Sequence, residues 1–386
     1  SAMRTIRRWA AQAPGQLAES EFRSSLLPSV TIRDQYVPYG LVGCISPWNF
    51  PVTLSLIDAV PALAAGCAVI VKPSEVTPRF VVPLRRALER VPELAKVLAF
   101  VTGAADTGRA LVAVVDAVCF TGSVATGRRV AEAAAARFIP AFLELGGKDP
   151  AVVLASADLE MATDVVLRGS IANNGHACMS LERVYVQRPL YERFVARLVE
   201  KAGAVRLSWP DPRSGYLGPL IFEPQARTIR SQLDDAVAKG ARVLCGGEIE
   251  TLGGGLYLRP TVVVDVDHGM TLMTDETFGP VVPVMPFDTV EQGIRLANDS
   301  DFGLSACVLA GTLEEALAVG REIDAGGISL NDGCMTYMTY EGEKNSFKYS
   351  GMGGSRMGAA GLRRFLRRKA LIQQHVDRLA PRAFDH

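Results

Sequence analysis

The chain has 386 residues, 48% of them hydrophobic and 21% charged, with 41 basic and 41 acidic side chains. That length and apolar content suit a globular protein of two or three domains with sizeable cores. The balanced charge, free of any basic or acidic block, excludes nucleic acid and anionic membrane surfaces as the main partners.

The first three residues, Ser1-Ala2-Met3, read as an expression remnant, and no apolar signal segment follows in the first fifty positions. The uncharged stretch from Tyr36 to Ile57 is broken by Pro38, Gly40, Gly43, Pro47 and Pro51, so it reads as strand, loop and helix start rather than as a membrane span. Between 41 and 145 short apolar runs alternate with helical stretches: strands at 41–46, 67–72, 96–101, 117–122 and 141–145, and helices near 53–65, 78–91 and 124–137. Near-continuous apolar strands separated by helices predict a parallel sheet covered on both faces. The alternation restarts after 150, with helices at 158–172, 189–204, 225–239, 289–298 and 312–324 and strands at 183–187, 305–311 and 327–331. Residues 341–358, rich in Gly and Ser, read as a loop. A basic helix over 361–369 and a strand over 370–376 follow.

Polar groups gather at the strand ends of the first half, where open parallel sheets bind ligands. "SPWNFP" (46–51) sets Asn49 between two prolines, and "KPSE" (72–75) carries a cation and an acid three residues apart. "FTGSVATG" (120–127) leads into a helix whose free amides suit a phosphate, and "LELGGK" (143–148) presents Glu144 beside a Gly-Gly pair. Farther on, "NNGHACMSLERV" (173–184) places Cys178 just past a polar, glycine-broken loop. The other cysteines are Cys44, Cys67, Cys119, Cys245, Cys307 and Cys334. An odd count of seven without C-x-x-C spacing argues against a disulfide framework or a metal site, and for a reducing cytoplasm. The six besides Cys178 read as packing residues.

Taken in order, "PWNFP", "KPSE", "FTGSVATG", "LELGGK", "NGHAC", "DETFGPVVPV" (275–284) and "KYSGMGGSRMG" (348–358) resemble the aldehyde dehydrogenase superfamily from about residue 37 to the C-terminus. The resemblance implies an α/β protein of several parts. Residues 41–146 would form a Rossmann-like, dinucleotide-binding parallel-sheet domain, and 147–345 a second α/β catalytic domain. Residues 1–40 would supply an N-terminal stub and a small oligomerisation arm, and 346–386 a closing loop, helix and oligomerisation strand. Members of the family usually carry a longer helical segment ahead of the position of Gln35. Its shortening here leaves open an altered oligomer or a truncated chain.

The resemblance also assigns roles. Cys178 would be the nucleophile, attacking as a thiolate whose pKa is lowered by a polar or cationic setting. The Asn49 side-chain amide and the Cys178 backbone N–H would hold the oxyanion, and Glu144 would activate the water that hydrolyses the thioester. Ser46, Pro47, Trp48, Lys72, Glu75, Gly103, Gly108, Thr121, Gly122, Ser123, Leu145, Glu276 and Phe278 would hold the cofactor. A carboxylate at Glu75 favours NAD, with NADP possible. Phe50, Leu54, Ala177, Met179, Met335 and Tyr337 would line a pocket for an apolar or aromatic aldehyde. The assembly implied is a homodimer or homotetramer, with no nucleic acid or membrane partner. His176 stands where the family usually has glutamine, either filling that structural role or assisting the thiol; His268, His375 and His386 read as incidental. A coenzyme A-acylating member and a non-catalytic scaffold of the same fold are the alternatives.

Overall fold

The computed structural model describes residues 2–375, apart from the side chains of Ala2 and Tyr337; Val376 and His386 lie outside the described residues. Its first half is built on a six-stranded sheet in the order Gly351–Met352, Ala141–Glu144, Ala117–Thr121, Leu41–Ile45, Ala68–Lys72, Leu98–Phe100. The five expected strands are all there and all parallel; only the Gly351–Met352 edge runs antiparallel. They read as unbroken apolar runs because helices cover both faces and bury Val42, Val69, Val71, Val118 and Phe120. Chain order along the sheet reverses between the Leu41–Ile45 and Ala117–Thr121 strands. That reversal opens a crevice beyond their carboxyl ends.

The second half forms a seven-stranded sheet in the order Arg242–Cys245, Thr261–Val264, Val281–Phe287, Leu181–Gln187, Asp149–Val153, Ser305–Leu309, Gly327–Leu330, parallel except at the Arg242–Cys245 edge. Two apolar clusters, one on each face, make its cores. The protein is thus an α/β molecule with a Rossmann-like sheet and a second α/β sheet, as expected. A third sheet of Ser20–Arg23, Val30–Pro38 and Leu366–Gln374 stands apart and is mostly exposed. It joins the two segments that the sequence assigned to an arm.

Four expectations are corrected. The basic helix over 361–369 is a single turn, Ala360–Arg363, and the chain enters a strand at Leu366. Its nine-residue antiparallel register with Val30–Pro38 satisfies backbone groups that an isolated short helix could not hold. The expected stub is instead a helix, Ala2–Gln16, in which Ala2 and Met3 take part. Trp9 and Ala13 are buried among the apolar residues of the first half. The helix over 53–65 is two, Pro51–Leu56 and Ala59–Ala64, with Asp58 buried at the break. The loop over 341–358 contributes two short strands, one extending the first sheet beside Glu144. Among the described residues, no helix is long and apolar enough to cross a membrane.

Candidate active site

A cleft lies at the crevice that the strand order creates, where open parallel sheets bind ligands. Pro47, Trp48 and Asn49 enter it from the end of the Leu41–Ile45 strand, and Thr121, Gly122 and Ser123 from the end of the Ala117–Thr121 strand. Leu145 and Gly146 follow the Ala141–Glu144 strand, and Leu54 comes from the adjoining helix. From the second half come Cys178, Gln225, Glu276 and Phe278.

Cys178 sits on a turn between the 3-10 helix Ala172–Gly175 and the Leu181–Gln187 strand, part-exposed to the cleft. The turn is clamped from the first half. Asn49 Nδ2 donates to the His176 carbonyl at 2.9 Å, and Asn173 Nδ2 donates to the Asn49 carbonyl at 3.1 Å. A Cβ at Gly147 would collide with the Cys178 carbonyl, so that glycine lets the "LELGGK" loop lie against the cysteine. The Cys178 N–H takes no acceptor among the described residues, while its neighbours Ala177 and Ser180 donate within the turn. It is therefore free for an oxygen in the cleft. The expectation of a lowered thiol pKa is corrected: burial, with Glu276, Asp149 and Glu144 nearby, pushes the Cys178 thiol up to about 12. Lys344 pulls the other way and is outweighed.

The carboxylates differ sharply. Glu276 accepts from the Gly147 N–H at 3.0 Å and is pushed up to about 8 by burial and by Glu182, so it holds its proton at neutral pH. Asp149, buried against Ser305, is raised to about 7, also by burial. Glu144 takes the Ser346 hydroxyl at 2.9 Å and pairs with the Arg356 guanidinium at 3.7 Å. Beneath the cleft, buried Lys148 and Glu182 form an ion pair at 2.8 Å. Glu182 also accepts from the Thr277 and Phe278 N–H groups at 2.7 Å each, fixing the loop that carries Glu276.

His176 is fully buried. Its Nδ1 bonds the Phe278 carbonyl at 2.7 Å, and its Nε2 accepts from the Ile221 N–H at 3.3 Å. Burial lowers its pKa to about 4, so both nitrogens are committed on a neutral ring and neither is left for the thiol. A glutamine amide offers the same donor and acceptor. His176→Gln is therefore expected to change kcat/KM by less than about tenfold, against the roughly 10²–10⁴-fold loss expected of a general base.

The model of the Aldehyde dehydrogenase family matches residues 1–371. The chain belongs to that family. It is an NAD(P)-dependent enzyme that oxidises aldehydes. A Mycolicibacterium smegmatis protein named "Putative succinate-semialdehyde dehydrogenase", with NADP(+) given as its cofactor, is 37% identical over 98% of this chain and 74% of its own length. Among solved structures, "Putative Aldehyde Dehydrogenase PutA" from Anabaena variabilis is 54% identical with a TM-score of 0.96, covering 98% of this chain and 81% of that one. A lactaldehyde dehydrogenase from Escherichia coli is 33% identical with a TM-score of 0.91, covering 97% and 78%.

The dehydrogenase's cleft fits a nicotinamide dinucleotide by its donor set. Gly122 and Ser123 lead into the twelve-residue helix Val124–Ala135, whose N-terminal end suits an anion even though Ser123 caps the Thr126 N–H, and Gly127 lets that helix close on Leu145. Trp48 and Phe278 meet edge to face at 5.3 Å and make an aromatic wall beside Cys178. Not every expected residue reaches the cleft. Glu144 is not among its lining residues, although its charge acts on the Cys178 sulfur. Lys72 and Glu75 pair at 3.0 Å outside its lining, Lys72 buried and the Glu75 side chain 55% exposed. Ser46 bonds Ser55, Gly103 packs on Thr107, and Gly108 sits near Ile45. Of the substrate-pocket set only Leu54 lines the cleft; Phe50, Ala177, Met179 and Met335 do not, and the Tyr337 side chain lies outside the described residues. The Met179 carbonyl accepts from Cys334 at 3.3 Å, which ties it to the 334–337 segment. Gln225 carries no local motif, and Lys148, Glu182 and Arg356, though inside quoted motifs, were given no role there.

Proposed function

We propose that the enzyme oxidises apolar or aromatic aldehydes to carboxylic acids with NAD, through a covalent adduct on Cys178 that water resolves. The observation that carries this reading is the meeting of Cys178, Asn49, Leu54, Trp48 and Phe278 around one cleft, in which Leu54 and the two aromatic rings set an apolar wall beside the sulfur. In the first half-reaction the Cys178 sulfur attacks the carbonyl carbon as its proton leaves to solvent in the cleft. The Asn49 amide and the Cys178 N–H receive the oxyanion, each worth about 3–4 kcal/mol. The cofactor, when bound, supplies a hydride acceptor. Glu144 then takes a proton from the water that attacks the thioester.

Thr121, Gly122 and Ser123 would hold the pyrophosphate, and Glu276 the nicotinamide ribose. Glu75, anionic beside Lys72, would favour a free 2′-hydroxyl over a 2′-phosphate. In this reading residues 41–146 bind the cofactor and 147–345 carry the catalysis. The exposed Leu366–Gln374 strand, unpaired on its outer edge, would join copies of the chain into a dimer or tetramer.

The test is kcat/KM for benzaldehyde, a medium-chain alkanal and succinate semialdehyde, each with NAD and NADP. The expected order places both apolar aldehydes first, with NAD. Preference for the semialdehyde with NADP, the pair named for the mycobacterial relative, overturns the substrate and cofactor reading.

A further inference from the structure

Resting on the reading of Cys178 as nucleophile and Glu144 as base, we infer that Arg356 is a positioning residue that holds the Glu144 carboxylate for the hydrolytic half-reaction. Arg356 is buried, with only 9% of its side chain exposed, and is anchored on the side of the first sheet. One terminal nitrogen donates to Asp58 at 2.9 Å and to Thr121 at 2.7 Å. Asp58 is itself locked by Arg364, so the guanidinium has no room to slide. Its Nε is different: buried, without any hydrogen-bond acceptor, and 3.7 Å from Glu144 Oε1. A buried donor left unpaired costs about 1–3 kcal/mol, and a short movement of Glu144 satisfies it.

The other carboxylate oxygen takes the Ser346 hydroxyl at 2.9 Å. Both contacts come from one segment. That segment is pinned beside Glu144 by the Gly351–Met352 edge pairing and by the Leu145 N–H donating to Ser350 at 2.8 Å. Held by the Ser346 hydroxyl on one oxygen and by the Arg356 charge beyond hydrogen-bond length on the other, the carboxylate is oriented while lone pairs stay open to a water, which is what a base needs. The step it serves balances as follows. The water oxygen bonds the thioester carbonyl carbon, and its proton passes to Glu144. When the carbonyl re-forms, the carbon–sulfur bond breaks and the sulfur leaves with the electron pair, taking up the proton from Glu144. Arg356 touches none of these atoms and acts through Glu144.

A merely structural arginine, holding the segment through Asp58, would lower every rate together. Rapid mixing of full-length enzyme with NAD and its best aldehyde separates the two roles. Arg356→Met is expected to release one equivalent of NADH per subunit at close to the parental rate and then turn over about tenfold to a hundredfold more slowly, a share of the general-base contribution. Arg356→Lys should recover part of that loss, and Ser346→Ala should slow the same late phase to a lesser degree. The inference is overturned if both phases fall together in Arg356→Met, or if the late phase is unchanged. Should Arg356→Met fail to fold, an unaltered late phase in Ser346→Ala and Arg356→Lys overturns it equally. Failure of the underlying reading looks different: NADH would form at the parental rate in Cys178→Ala.

Discussion

Replacing Cys178 with alanine is expected to abolish aldehyde oxidation, with kcat falling by roughly 10⁴-fold or more, the scale seen when a covalent nucleophile is removed. Stability and cofactor binding should persist, because the side chain is part-exposed and contributes little packing. Equilibrium NAD binding and a denaturation curve, run beside the steady-state assay, test both halves. Turnover comparable to the parent would remove the covalent reading. The raised thiol pKa adds a pH dependence with a definite sign. With the folded pKa at about 12, almost all of the sulfur is protonated at neutral pH in the cofactor-free enzyme. Alkylation by iodoacetamide should therefore be slow at pH 7 and accelerate about tenfold for each unit of rising pH, since the thiolate is the reactive form. A fast, pH-independent alkylation near neutrality would mean that burial and the carboxylates nearby do not keep the Cys178 thiol protonated.

How much of this site was readable in advance depends on whether the causes were local. The parallel strands of the first sheet announce themselves because burial on both faces leaves no polar alternation, and their ends fall where ligands gather. Asn49, Gly122, Ser123 and Glu144 each sit within a few residues of such an end, so their placement followed from chain order. Cys178 was marked by the short motif around it. What stayed hidden is made of partners far apart in sequence. Arg356 meets Asp58 across 298 positions, and Phe278 donates to Glu182 across 96. A lone Glu in "SLERV" or a lone Arg in "GSRMG" carries no sign that it is buried. The "LRRK" stretch misled for a related reason: its charges suit an exposed helix face and an exposed strand equally, and pairing with Val30–Pro38 decided the matter. The thiol pKa was misjudged because a cationic setting was expected, whereas burial, and after it the charges of Glu276, Asp149 and Glu144, act on the sulfur.

Those distant pairings have the largest expected effect on stability. Glu182→Ala should destabilise the folded enzyme by about 3–5 kcal/mol, the cost of leaving one member of a buried ion pair uncompensated. Lys148 would be stranded with almost no exposure, and the Thr277 and Phe278 N–H groups would lose their acceptor. Burial already lowers the Lys148 pKa from 10.5, with Glu182 opposing that shift. Without Glu182 it falls further, so the unfolded chain binds the extra proton and folding improves as pH rises. The deficit of the variant should therefore narrow at alkaline pH. Replacing both partners, Lys148→Met with Glu182→Met, should recover much of the loss, because two apolar side chains of similar length need no counter-charge. Urea denaturation of the three proteins across pH measures all of this. Function should follow the same loop: with Thr277 and Phe278 unanchored, Glu276 and Phe278 lose their fixed place in the cleft. KM for the cofactor should rise more than kcat falls. A double replacement no more stable than Glu182→Ala would show that the pair is held by packing around it rather than by its own charges.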